Sequence, residues 1–228
     1  LFGGGGDDSL DGGEGVDSVD YSGSGNAVTV DLANSLAAGE GDDVLASIEV
    51  VIGSNHADTL LGATGGETLV GGLGADTLTG AGAADTFIVA SGASPANDGF
   101  DTITDFGNGS DLLVLRQAAG YQYVPSLSLS TPADLNDAVA QATSSLGSNQ
   151  IGFFAYGGDG YLLGKGTGSG AQSFSGMLVK LAGVEIAPVF DGVDTFQAVI
   201  AGGDGGDALY GGDSDDILYG QGGGDYLY

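Results

Sequence analysis

Nine-residue units rich in glycine and aspartate recur in this chain, and their fixed period constrains its fold more than any other feature. Each unit follows the order G-G-x-G-x-D-x-U-x, where U is a large apolar residue. A first block covers 3–29, with a stray copy at 38–46; four copies in uninterrupted register cover 53–88, and three cover 202–228. A short period of this kind predicts a solenoid, in which two units make one coil of the stack.

The order of residues within a unit predicts a turn followed by a short strand. The glycine half can adopt backbone conformations with positive φ that other residues resist. The D-x-U-x half is extended, so the apolar side chain at position eight points to one face and its neighbours point to the other. Stacked coils therefore share one narrow core, which buries little apolar area per residue.

Carboxylates dominate the charge of the chain. Among 228 residues there are 31 acidic side chains and 3 basic ones, which gives a formal net charge of -28. Such a chain repels itself unless cations neutralise it, and aspartate suits tight turns and hard-cation sites. A disordered polyanion or a solvated acidic surface is the alternative, but the 42% hydrophobic content is enough for a core. We therefore expect metal binding and folding to be one equilibrium.

Several classes of function lack the residues they need. Three basic side chains give no electrostatic basis for binding nucleic acid, and no apolar run is long enough for membrane insertion. The chain has no cysteine, and His56 is its single histidine, which excludes an H-E-x-x-H zinc site. GKGTGSG from Gly164 lacks the spacing of a phosphate-binding loop. Paired carboxylates of the glycosidase kind stay open, although the repeat explains the acids better. We expect no enzyme in this chain.

The nonapeptide units resemble those of the RTX (repeats-in-toxin) family of secreted proteins. Two connecting segments, 27–51 and DTITDFGNGSDLLVL from Asp101, also resemble that family. The resemblance implies a mainly β fold, with calcium-bound parallel β-roll (RTX solenoid) blocks separated by a small α+β insert, and several calcium ions as the cofactor. It also implies an extracellular location and export through a type I secretion system.

The resemblance further implies which residues hold calcium. In RTX rolls each ion lies between a unit and the second unit after it, with backbone carbonyls at positions two and four plus the Asp from the first, and carbonyls at positions one and three plus the Asp from the second. Carried over, the ligands are Gly4, Gly6 and Asp8 with Tyr21, Gly23 and Asn26; Ser54, His56 and Asp58 with Gly71, Leu73 and Asp76; Ala63, Gly65 and Glu67 with Gly80, Gly82 and Asp85; and Gly203, Gly205 and Asp207 with Gly220, Gly222 and Asp225. Asp17, Asp43, Asp101, Asp105 and Asp216 are further candidate ligands. Asn26 and Glu67 depart from the pattern.

The pattern predicts four domains. They are an N-terminal roll with connecting strands (1–52), a central roll with its closing strands (53–116), an α+β insert (117–200) and a truncated C-terminal roll (201–228). In the insert, Thr131 is expected to cap a helix that begins at Pro132, and segments from Ile151, Tyr161 and Met177 to form a small antiparallel sheet. Both chain ends fall inside the repeat, which indicates a piece of a longer protein.

Two functions fit this organisation. The first is a structural segment of a surface-layer, adhesin or filament protein, which calcium rigidifies and which contacts other copies of itself or the rest of a longer chain. The alternative is the calcium-dependent folding and secretion module of a type I secreted enzyme, such as a protease or lipase, whose catalytic domain lies elsewhere. Tyr210, Tyr219 and Tyr228 recur at position nine, where an aromatic ladder or a contact surface is expected.

Overall fold

The computed structural model describes residues 1–89, 99–107, 110–115, 121–165, 177–190, 195–197, 200–201, 208–209, 218–219 and 226–227. Within these ranges the chain is mainly β with a single helix, and parallel strands follow the nonapeptide units. The predicted fold class is therefore confirmed.

The strands of the first half are short, as the four-residue D-x-U-x segments require. In chain order they are β1 (Ser9–Asp11), β2 (Ser18–Asp20), β3 (Thr29–Asp31), β4 (Leu36–Ala38), β5 (Asp42–Ala46), β6 (Val50–Ile52), β7 (Thr59–Leu61), β8 (Thr68–Val70), β9 (Thr77–Thr79), β10 (Thr86–Val89), β11 (Asp101–Ile103) and β12 (Leu112–Leu115).

The second half contains longer strands and the helix. Its elements are β13 (Gln122–Val124), α1 (Leu135–Ser145), β14 (Gln150–Tyr156), β15 (Asp159–Lys165), β16 (Leu178–Leu181), β17 (Val189–Phe190), β18 (Thr195–Gln197), β19 (Ile200–Ala201), β20 (Ala208–Leu209), β21 (Leu218–Tyr219) and β22 (Tyr226–Leu227).

Two sheets form the walls of the roll. The long sheet has the order β1-β5-β4-β3-β7-β9-β11-β16-β15-β14-β13, and the short sheet has the order β17-β18-β12-β10-β8-β6-β2. From β6 to β12 successive strands alternate between the sheets and pair in parallel with the second strand after them. The position-eight side chains Leu60, Leu69, Leu78 and Phe87 are fully buried between the sheets. This is the narrow core expected from the repeat.

A hairpin joins the first repeats to the central block. β3 pairs in parallel with β7, then turns back through antiparallel β4 into β5, which lies beside β1. In the short sheet β2 pairs directly with β6. Both sheets thus run through the predicted boundary at residue 52, and the first two repeat blocks share one roll.

The insert extends the walls of the roll. β14, β15 and β16 form the antiparallel arrangement expected from the sequence, and β16 also pairs in parallel with β11 of the roll. β18 pairs in antiparallel fashion with β12 at the end of the short sheet. Further along, β19 pairs with β21 and β20 with β22, each in parallel.

The helix begins later than predicted. α1 starts at Leu135, and Asp134 rather than Thr131 is its N-cap, because the Asp134 side chain accepts a hydrogen bond from the Asp137 amide. Asp137 in turn accepts a bond from the Ala133 amide at 2.9 Å. These reciprocal bonds resemble a capping box and fix the start of the helix. Among the residues described, no helix has the length and apolar content needed to cross a membrane.

Candidate metal centre

Residues at position six of the repeat stack in two columns that run along the roll. Each column is set by the strand register, because the position-six residue lies directly before its strand or within the first two residues of it. Column A, at the start of the strands of the long sheet, contains Asp8 beside Asp43, and separately Val28, Asp58, Asp76, Asp101 and Val179 in that order. Column B, before the strands of the short sheet, contains Asp17, Glu49, Glu67, Asp85 and Asp111.

Backbone amides orient one oxygen of most position-six carboxylates. The Asp58 amide donates to Oδ1 of Asp76 at 2.9 Å, and the Asp76 amide donates to Oδ1 of Asp101 at 2.9 Å. In column B the Glu67 amide donates to Oδ1 of Asp85 at 2.8 Å. The second oxygen of several of these carboxylates accepts no hydrogen bond. Oδ2 of Asp8, Oε2 of Glu67 and Oδ2 of Asp76 are buried without a hydrogen-bond partner.

In the first central pair, backbone carbonyls of one turn lie close to the glycines of the other. Gly72 and Gly74 have positive φ, +104 and +130, and a Cβ added there would lie 2.1 Å from the Ser54 carbonyl and 2.5 Å from the His56 carbonyl. A Cβ on Gly53 would lie 2.4 Å from the Gly71 carbonyl and 2.6 Å from Oδ2 of Asp58. Such close approach is possible only for glycine.

These contacts bring together the residues of the first predicted central site. The turn of Ser54, His56 and Asp58 stacks on the turn that holds Gly71, Leu73 and Asp76. His56 takes part through its backbone, since its side chain is exposed. Ser54 also holds Asp58: its amide and hydroxyl donate to the two oxygens of that carboxylate at 2.5 and 2.8 Å.

The second central pair is arranged in the same way. A Cβ on Gly62 would lie 2.5 Å from the Gly80 carbonyl and 3.0 Å from Oε2 of Glu67. A Cβ on Gly82 would lie 4.0 Å from the Ala63 carbonyl, and one on Gly65 would lie 2.7 Å from Oε1 of Glu67. This turn therefore faces the turn one coil further along the roll, and we call the space between two such turns a step. The step brings together the predicted residues Ala63, Gly65 and Glu67 on one side and Gly80, Gly82 and Asp85 on the other.

Burial makes Asp76, Asp85 and Asp101 costly to keep charged without a cation. It raises the pKa of Asp76 to about 7 and that of Asp85 to about 7, and the charges of neighbouring carboxylates add to the rise. Burial likewise raises the pKa of Asp101 to about 6. Desolvation disfavours the charged form of an acid unless an opposite charge lies nearby. A positive charge beside these three carboxylates would therefore stabilise the folded roll.

The predicted partner of the first unit is wrong. The Asp8 amide donates to Oδ1 of Asp43 at 3.0 Å, and the Gly6 carbonyl lies 2.2 Å from a Cβ added at Gly41. Gly4, Gly6 and Asp8 therefore face the stray unit 38–46 and not Tyr21, Gly23 and Asn26. The hairpin of β3, β4 and β5 is the cause, since it places β5 beside β1.

The register of the decayed unit is also wrong, by two residues. Val28, whose amide donates to Oδ1 of Asp58 at 2.7 Å, occupies position six, while Asn26 is exposed. Gly23 is exposed as well. Tyr21 does reach the first pair, but through its side chain: the buried hydroxyl donates to Oδ2 of Asp43 at 2.9 Å. Burial and that bond hold the pKa of Tyr21 well above its usual value.

Among the other predicted aspartates that the structure describes, Asp43 and Asp101 lie in column A, Asp17 lies in column B, and Asp105 lies outside both columns. Asp17 donates its amide to Oε2 of Glu49 at 2.8 Å, and Asp105 accepts from the amides of Gly80 and Ala81. Sequence reasoning missed Glu49 and Asp111, which share column B with Asp17. The signal was present, because EVV at 49–51 and DLL at 111–113 keep the acid-x-apolar order of the repeat.

The predicted C-terminal ligands lie outside the described residues. They are Gly203, Gly205, Asp207, Asp216, Gly220, Gly222 and Asp225. Their site stays a prediction. The same holds for the ladder of Tyr210, Tyr219 and Tyr228.

The arrangement fits calcium better than other common metals. Its donors are carboxylate and backbone carbonyl oxygens, with no thiolate, and hard cations prefer such donors. Within the described ranges, no group of three or more His, Cys, Asp or Glu side chains could hold a metal by itself. A site here must therefore combine two carboxylates with carbonyls, and six to eight oxygens of this kind suit calcium. The unpartnered buried oxygens of Asp76 and Glu67 supply the negative charge it needs.

Comparison with known protein families agrees with this geometry. The model of the RTX calcium-binding nonapeptide repeat matches in four copies over residues 1–26, 61–94 and 199–228. The chain carries RTX calcium-binding repeats. Calcium is therefore the cofactor of these RTX units, as the donor set indicates. The matched residues include Glu67, Asp76 and Asp85, whereas the unit at 38–46 lies outside them. None of the curated proteins compared with the chain matches it.

Proposed function

We propose that this chain is a structural segment of an exported RTX protein, which calcium folds into a rigid roll outside the cell. The observation that carries the proposal is the pairing of buried carboxylates between coils. Asp58 and Asp76 are 2% and 1% exposed, and the free Oδ2 of Asp76 lies beside Gly71, whose carbonyl packs against Gly53 of the preceding coil. Without cations these carboxylates repel each other in a buried region that water solvates poorly. With calcium they link neighbouring coils.

The distribution of charge supports folding that is switched by calcium. The net charge is -28, and the acids repeat along the whole length of the repeats rather than at one patch. A chain of this charge stays expanded where free calcium is low, and it gains the binding free energy on folding where calcium is high. Because free calcium is low inside the cell and high outside it, the chain would pass unfolded through a type I system and fold outside the cell.

An extended assembly role is supported by the continuity of the walls. The long sheet joins β1 of the first unit to β13 of the insert in one hydrogen-bonded order, and the short sheet does the same from β2 to β17. Calcium bound at several steps would stiffen both sheets along the roll axis. We propose that the segment acts in a surface-layer, adhesin or filament protein and contacts other copies.

Sedimentation velocity of the chain, in millimolar calcium and in chelator over a range of protein concentrations, tests this role. The expected result is a compact species whose mass rises with concentration in calcium, and an expanded monomer in chelator. A compact monomer at every concentration in calcium would contradict the assembly role. It would favour the alternative, a folding and secretion module of an exported enzyme.

A further inference from the structure

Glu67 is the exception among the four units of the central block, since the other three have Asp at position six. Its longer side chain leaves the backbone of the roll unchanged. The Glu67 amide donates to Oδ1 of Asp85 at 2.8 Å, which matches the 2.9 Å bond from the Asp58 amide to Asp76. The difference between the units therefore lies in the carboxylate.

The Glu67 carboxylate lies close to both ends of its own turn. Oδ2 of Asp76 lies 2.4 Å from a Cβ added at Gly71, the first residue of its turn, and Oδ2 of Asp17 lies 3.9 Å from a Cβ added at the fourth residue, Gly15. Glu67 approaches both ends, with Oε2 at 3.0 Å from a Cβ on Gly62 and Oε1 at 2.7 Å from a Cβ on Gly65. Its two oxygens thus lie beside the first and the fourth residue of the turn.

No amide of the preceding coil holds this carboxylate. Asp76 and Asp85 each give Oδ1 to the amide of the position-six residue before them. The residue before Glu67 in column B is Glu49, whose amide donates to the Asp17 carbonyl at 3.1 Å instead. Glu67 is only 6% exposed, and its Oε2 has no hydrogen-bond partner. Its carboxyl group meets that of Asp85 across the step.

We propose that Glu67 offers both carboxylate oxygens to one calcium ion and is the residue that makes the step between Glu67 and Asp85 selective for calcium over magnesium. The inference rests on the calcium-binding role proposed above. A large ion with six to eight ligands accepts a bidentate carboxylate, as a bidentate glutamate does in other calcium loops. Magnesium demands near-octahedral geometry and releases its waters reluctantly, so a bidentate group suits it poorly.

Glu67→Asp restores the residue of the neighbouring units and is expected to fold. Glu14→Asp, an exposed glutamate at position three of its unit, is the matched control. Calcium titrations of folding are compared with and without millimolar magnesium. Magnesium should raise the calcium midpoint of Glu67→Asp by up to about tenfold, since one oxygen ligand is lost, and should leave the wild type and Glu14→Asp nearly unchanged.

Infrared difference spectra of chains labelled with ¹³C-carboxylate glutamate supply a second readout. On addition of calcium, the wild type and Glu14→Asp should show a shifted carboxylate stretch of the bidentate kind, and Glu67→Asp should lack it. A magnesium response of Glu67→Asp equal to that of the wild type, or a shifted band that persists in it, would overturn the inference. Failure of all three chains to fold with calcium would instead overturn the calcium-binding role itself.

Discussion

The backbone amide of Asp58 lies 2.9 Å from Oδ1 of Asp76, one coil further along the roll. This bond aligns the two carboxylates and leaves Oδ2 of Asp76 buried without a partner. The bonds from Asp76 to Asp101 and from Glu67 to Asp85 repeat the same relationship. A single contact, repeated along the roll, therefore couples strand register to the placement of charge that calcium neutralises.

Asp76→Asn should destabilise the roll by an amount that grows with calcium concentration. Asp76 lies between Asp58 and Asp101, so its charge serves two steps of column A. At calcium about a hundredfold above the dissociation constant, loss of one bound ion removes about 2.7 kcal/mol from the free energy of unfolding. Urea unfolding at two calcium concentrations, both high enough to fold the chain, measures the loss, with exposed Asp11→Asn as the control, expected within about 0.5 kcal/mol of wild type. An equal loss at the two concentrations would show that Asp76 acts through packing alone.

Asp43→Asn should raise the calcium midpoint of folding, whereas Asp42→Asn should not. Asp43 is 2% exposed and accepts the Asp8 amide, while its neighbour Asp42 is exposed. Asn26→Ala should also be close to neutral, within about 0.5 kcal/mol, because Asn26 does not occupy position six. A larger effect from Asn26→Ala than from Asp43→Asn would restore the pairing of the first unit with 21–29.

Gly72→Ala should cost more free energy of unfolding than Gly183→Ala. Both glycines have positive φ, +104 and +73, and an alanine there costs about 1–2 kcal/mol from backbone strain alone. A Cβ on Gly183 meets nothing within 4 Å, whereas one on Gly72 would lie 2.1 Å from the Ser54 carbonyl. Calcium titration and urea unfolding of the two variants measure the difference. Equal losses would mean that the turns do not stack as described.

Acid pH should favour folding of the chain in chelator. The pKa of Asp76 and of Asp85 is raised to about 7 by burial in the folded roll, from an ordinary value of 3.8. The folded, calcium-free chain then binds more protons than the unfolded chain between about pH 4 and 7, so its stability rises as the pH falls from 7 toward 4. Protons thus provide part of the neutralisation that calcium provides at higher pH.

Circular dichroism in chelator at pH 8 and at pH 5 measures this difference. More β structure is expected at pH 5 than at pH 8. Identical spectra at the two pH values would contradict the raised pKa values.

The sequence predicted the central block because its units follow one another without interruption. Leu60 pairs with Leu78, and Leu69 with Phe87, as the 18-residue coil requires. The strand register of the first block was harder to predict, because a shift of two residues keeps the same side chains on the inner face. Val28 and Val30 are both buried, so the apolar pattern alone could not distinguish Asn26 from Val28 at position six.

The nine-residue period could not predict which unit pairs with the first unit, because that pairing depends on the hairpin of β3, β4 and β5. The pairing of Asp8 with Asp43 requires β4 to reverse direction, which places a unit 35 residues away beside the first one. The first residue of the helix was also difficult to predict, because two residues could serve as its N-cap. Thr131 and Asp134 are both good N-caps, and each has an aspartate three residues later. Only the pair of Asp134 and Asp137 makes the bonds, in which Asp134 accepts from the Asp137 amide and Asp137 accepts from the Ala133 amide.

Far-ultraviolet circular dichroism of the whole chain at pH 8 during a calcium titration, reversed by excess chelator, tests whether calcium folds the roll. The predicted result is a disordered spectrum in chelator, a cooperative change to a β spectrum at millimolar calcium, and full reversal when calcium is removed. Magnesium at the same concentration should not produce the change. A β spectrum that is the same in calcium and in chelator would contradict the account, because the roll would then fold without the cation.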